Sequence, residues 1–129
     1  MMPVKAVPLP TGRTLAELRD GLRQSGAVFA YLHGSRVAGR ARPDSDVDVA
    51  AWFGRAVDQW QVPVPAGVDL LVLDSAGLEL AGRVAQDGVL LLDDDPSARV
   101  AWQAEASKRY LDEAHRRREL TATVFGELR

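Results

Sequence analysis

Hydrophobic and polar positions change period several times along this chain, and each change marks an element. From Thr14, the apolar residues Leu15, Leu18 and Leu22 recur at helical spacing, with Thr14 or Thr11 available to cap the start and Gly26 to stop the helix. The run AVFAYLH (27–33) reads as a buried strand bounded by Gly26 and Gly34. The Gly- and Arg-rich link that follows predicts a short helix from Ser35, ended by Gly39 and Pro43. DVDVAAWF (46–53) is a second strand, 54–67 with its two prolines a loop, and VDLLVLD (68–74) a third strand. SAGLELAGRVAQDG (75–88) predicts a helix capped by Asp74 or Ser75 and ended by Gly88. VLLL (89–92) is a short fourth strand. A long helix runs over 96–120, with Asp95 as its cap and Pro96 as its first residue. Residues 1–12, rich in proline, form an irregular lead-in. The order predicts an α/β (α+β) domain, with helices packed on at least one face of a small mixed sheet.

Length and composition narrow this picture. A chain of 129 residues fits one domain, 1–129, and leaves little room for a second. A net charge of −2 argues against direct nucleic-acid binding over the whole surface. Without cysteine there is neither a disulfide nor a thiolate metal site. No apolar run approaches the roughly 20 residues of a membrane span and the N-terminus has no signal-peptide pattern, so a cytoplasmic protein is expected.

The chemistry concentrates in one stretch, YLHGSRVAGRARPDSDVDVAAWF (31–53). In a strand, residues two apart project to the same side. Asp46 and Asp48 therefore share a face, while Val47, Val49 and Ala51 point into the core. Two carboxylates placed this way repel unless a hard cation such as Mg²⁺ or Mn²⁺ lies between them, and without one a carboxyl pKa should rise. Asp69, opening the third strand, can reach the same ion if that strand lies beside the second. Asp44 reads as a turn residue. Gly34 and Ser35 stand where a strand gives way to a turn. There, backbone amides and the serine hydroxyl can cradle a phosphate.

Gly34-Ser35 followed by Asp46-x-Asp48 resembles the signature of the DNA polymerase β-type nucleotidyltransferase superfamily. Over about 28–112 the chain is similar to its minimal nucleotidyltransferases, the MntA-type antitoxins paired with HEPN-domain toxins of the HepT type. The resemblance implies a palm-like nucleotidyltransferase fold, ATP as substrate and two Mg²⁺ ions held by Asp46, Asp48 and Asp69. It implies that Gly34, Ser35 and Arg36 hold the nucleotide, with Asp69 helping to deprotonate the acceptor. The implied reaction transfers AMP to a hydroxyl, a tyrosine, of a cognate HEPN-type RNase toxin. Two other readings stay open: transfer to a small molecule such as an aminoglycoside, and a non-catalytic antitoxin that acts by binding alone.

Other residues invite functional readings. His33 either lines the nucleotide site or is a packed strand-end histidine. Arg40 and Arg42 are solvated or meet phosphate or partner. Arg109 and His115 have the spacing of a HEPN RNase motif but lack its all-helical host, so a solvated helix is expected instead. The acidic run at 93–95 predicts a capping turn. Trp102, Ala106 and Tyr110, with Val100, Ala104, Leu111 and Ala114 beside them, form a broad apolar helix face that covers the sheet or docks a partner.

Overall fold

The computed structural model describes residues 13–34 and 46–127. The predicted lead-in and the predicted short helix from Ser35 lie outside the described residues, as do Ser35, Arg36, Arg40, Arg42 and Asp44.

Helix α1 (Leu15–Gln24) begins at Thr14, whose hydroxyl accepts the Glu17 N–H at 3.2 Å, and buries Leu15, Leu18 and Leu22. Strands β1 (Phe29–His33), β2 (Val47–Trp52), β3 (Val68–Val72) and β4 (Val89–Asp93) form one sheet in the order β3-β2-β1-β4. β1 is antiparallel to both β2 and β4, whereas β2 and β3 run parallel. The mixed sheet expected from the sequence is thus present. Its parallel pair arises because the 54–67 connection carries the chain back to the start of the sheet, where the Val47 N–H donates to the Gly67 carbonyl at 2.8 Å.

Both sheet faces are covered. On one side α1 packs its leucines against Ala30, Val49, Ala51, Leu70 and Val72. On the other, Phe29, Tyr31, Ala50 and Leu73 meet Val84 of α2 (Leu78–Asp87) and Ala98 and Trp102 of α3 (Pro96–Glu127). Alternation therefore gives β2 two apolar faces along most of its length: Ala50 is as fully buried as Val49 and Ala51. Only its first turn of pleat, at Asp48, is polar.

One helix start differs from the expectation. α2 begins at Leu78, and its N-cap is Gly77, which offers no side chain. Asp74 caps nothing in α2. It lies in a 3₁₀ turn, Leu73–Ser75, that shortens the predicted third strand, and its carboxylate accepts the Phe53 and Gly54 N–H groups at 2.9 and 2.8 Å. Those two amides end β2 without sheet partners, so a long-range carboxylate takes them in preference to a local cap. By contrast α3 starts as expected. Asp95 Oδ1 accepts the Ala98 N–H at 3.1 Å ahead of Pro96, but the helix continues beyond residue 120 to Glu127. Its apolar face divides. Trp102, Ala106 and Tyr110 turn inward, while Val100 and Leu111 are exposed.

Candidate active site

The start of β2 brings the predicted carboxylates to one place. In the parallel β2–β3 pair, Asp48 stands directly opposite Asp69. In the antiparallel β1–β2 pair, Asp48 stands opposite His33. His33, Asp48 and Asp69 therefore form a row across three adjacent strands, on the face shared with Tyr31, Ala50 and Leu71. Asp46, two residues before Asp48, lies exposed at the entrance to β2, close enough to act on the Asp48 charge.

Gly34 makes the close approach that its residue type permits. Its φ is +80°, in the left-handed region, and a Cβ there would collide with the Asp48 carboxylate. The backbone leaving β1 thus lies directly against the central acid of the row.

Electrostatics couple the row. Burial pushes the Asp48 carboxyl above the ordinary range; neighbouring His33 pulls it down, and Asp69 and Asp46 push it further up. Burial also pushes the His33 imidazole below its usual value, against the pull of Asp48, the Val49 backbone and Asp69. Nε2 of His33 is buried without a hydrogen-bond partner among the described residues. Burial is the main cause of both shifts.

The donor set, several carboxylates around one sheet end, is the chemistry that hard divalent cations take. Among the described residues no group of three or more His, Asp or Glu side chains is gathered closely enough to hold a metal ion. The row matches such an ion in donor type and in register alone.

The remaining candidates resolve into structural roles. Asp93 pairs with Arg99 at 3.0 Å, Asp94 pairs with Arg23 at 2.7 Å, and Asp95 caps α3, so all three acids of the run are structural. Arg109 pairs with Glu105 and His115 with Glu119, both on exposed helix surface. Sequence reasoning left His33 open. Its position beside Gly34 was visible, but its cross-strand partner emerges only with the register. The expected α2 cap, Asp74 or Ser75, is Gly77 instead, and no local signal marks the distant amides that Asp74 serves.

The family model described as Polymerase beta, Nucleotidyltransferase matches residues 18–97. No curated protein matches the chain. Among solved structures, the chain is similar to one in a toxin–antitoxin crystal structure with AMP-PNP, with a TM-score of 0.69 and 21% identity over 86% of this chain and 98% of that one. It is also similar to one in the toxin–antitoxin MntA–HepT, with a TM-score of 0.64 and 20% identity over 86% and 96%. A third is from a tri-AMPylated Shewanella oneidensis HEPN toxin in complex with its MNT antitoxin, with a TM-score of 0.65 and 20% identity over 86% and 95%. No helix among the described residues is long and apolar enough to cross a membrane.

Proposed function

The chain belongs to the Polymerase beta, Nucleotidyltransferase family, and from that premise we propose that it is a cytoplasmic antitoxin that transfers AMP from ATP to a tyrosine hydroxyl of a HEPN-type toxin. The observation that carries this reading is the register that sets Asp48 opposite Asp69 beside Gly34. Similar structures that contain AMP-PNP or an AMPylated HEPN toxin support ATP as donor and a toxin hydroxyl as acceptor.

Asp46, Asp48 and Asp69 would hold two Mg²⁺ ions, which would neutralise triphosphate charge and activate a hydroxyl. The chain's own groups do the rest. Gly34 lets backbone amides reach the β and γ phosphates, and Ser35 and Arg36 add a hydroxyl and a guanidinium to them. Asp69 faces the incoming hydroxyl and takes its proton. The hydroxyl oxygen bonds to the α-phosphorus, the bond to the bridging oxygen breaks, and pyrophosphate leaves with its electron pair.

The test incubates the chain with Mg²⁺, α-labelled ATP and the product of its neighbouring gene. Label on a partner tyrosine is expected. A partner that is neutralised without label, equally by wild type and by Asp46→Asn/Asp48→Asn, would show an antitoxin that acts by binding alone. Label on an aminoglycoside would move the acceptor to small molecules.

A further inference from the structure

Whether Asp69 meets Asp48 depends on where β3 begins. Asp69 is only the second residue of that strand and is exposed, so burial does not fix its place. Resting on the carboxylate reading proposed above, we propose that Gly67 is a positioning residue for the transfer reaction: its left-handed backbone sets the start of β3 and thereby holds Asp69 opposite Asp48.

Three observations carry it. First, Pro65 to Val68 form a turn closed by the Val68 N–H, which donates to the Pro65 carbonyl at 3.2 Å. Gly67 is its third residue, with a φ of +83°. A type II turn demands about +80° there, which glycine supplies without steric cost. Second, the Gly67 carbonyl accepts the Val47 N–H at 2.8 Å. That bond ties β2 to the start of β3 one residue before Asp48 meets Asp69. Third, the turn is held on both sides, because Val64 and Val68 pack against the core that contains Leu70 and Val72. A residue at 67 that leaves the left-handed region therefore cannot swing the whole turn outward, and the bond to Val47 gives way instead.

The consequence is local. Leu70 and Val72 are buried and keep the rest of β3 in register. Asp69 precedes them and follows the turn. A misplacement of about 1 Å costs about a hundredfold in rate.

The test compares Gly67→Val with Gly67→Asn in the full chain. A β-branched residue tolerates a positive φ least, whereas asparagine is enriched there. Amide hydrogen exchange followed by NMR reads the Val47 N–H without any substrate. The Phe53 N–H, held by Asp74 beyond the other end of β2, is the internal reference. In Gly67→Val the Val47 amide should lose protection while the Phe53 amide keeps it; in Gly67→Asn both should stay protected. AMP transfer should fall by about a hundredfold in Gly67→Val and stay near wild type in Gly67→Asn. In an Asp69→Asn background, Gly67→Val should remove little more. Asp74→Ala, a destabilised control, should keep its rate well below its unfolding temperature, which separates placement of Asp69 from stability alone. Gly67→Ala replaces the valine variant should that one not fold. A Val47 amide that stays protected in Gly67→Val, or a rate loss that adds fully to that of Asp69→Asn, overturns the role of Gly67. A wild type that transfers no AMP overturns the function proposed above, whereas the exchange data still decide whether Gly67 places Asp69.

Discussion

At the residue scale, Asp48 is placed at a cost to the fold. Burial and two neighbouring acids raise its pKa, so its charged form is less favourable in the folded chain than in the unfolded one. That cost is present at neutral pH and is relieved as pH falls through the raised value. Asp48→Asn should therefore leave the metal-free Tm unchanged or higher, while AMP transfer falls by about a thousandfold or more, the scale of losing several kcal/mol of metal stabilisation. Calorimetry and a label-transfer assay on one preparation check both signs. Gly34→Ala should act on the same carboxylate from the backbone side. A left-handed φ costs a non-glycine residue about 1–2 kcal/mol, and the added methyl displaces the Asp48 side chain. Denaturant midpoint and transfer rate should both drop. The sequence made the three acids and Gly34 legible as a group because their chemistry is intrinsic to residue type and alternation. His33 stayed ambiguous because its meaning depends on which residue lies across the strand.

At the element scale, positions were readable wherever the signal was local. The Thr14 cap, the Asp95-Pro96 start and the strand cores are set by neighbours within a few residues. Boundaries set by distant partners were not. Asp74 illustrates this, because it serves amides 20 and 21 residues away. Asp74→Ala should cost about 1–3 kcal/mol, the range for hydrogen bonds to a charged group, seen as a lower urea midpoint with unchanged slope. The α2–α3 contact rests on a different residue. A Cβ at Gly82 would run into the Tyr110 ring, so the helices meet at the width of a glycine. Gly82→Ala overpacks that crossing and should cost about 1–3 kcal/mol. Gly82→Ala/Tyr110→Ala should recover part of the loss in a double-mutant cycle. Helical periodicity alone revealed the face of Tyr110 but could not name a glycine on another helix as its partner.

At the scale of the whole molecule, one buried phenol links the two layers on the α2–α3 side. Tyr31 donates to Gln103 Oε1 at 2.9 Å, and Gln103 Nε2 donates to the Ala85 carbonyl at 3.1 Å, joining β1 to both helices. Burial pushes the Tyr31 pKa up from 10.0 to about 12. Its stabilising effect is complete below pH 10 and is lost as pH rises from 10 towards 12, since the unfolded chain ionises first. Tyr31→Phe should flatten that part of the stability–pH curve. The α/β class and strand count were legible because four apolar runs between helical patterns allow few alternatives. Strand order was not, since pairing β2 with β3 in parallel depends on where the 54–67 connection returns the chain. That pairing decides whether Asp69 joins Asp48, and with it the proposed catalyst. The most direct measurement is anomalous diffraction from crystals grown with Mn²⁺ and an ATP analogue that cannot be cleaved at the α-phosphate. The expected map has an ion within coordination distance of both Asp48 and Asp69 and of the triphosphate. Ions bound to the triphosphate alone, with the two carboxylates turned apart, would contradict the account.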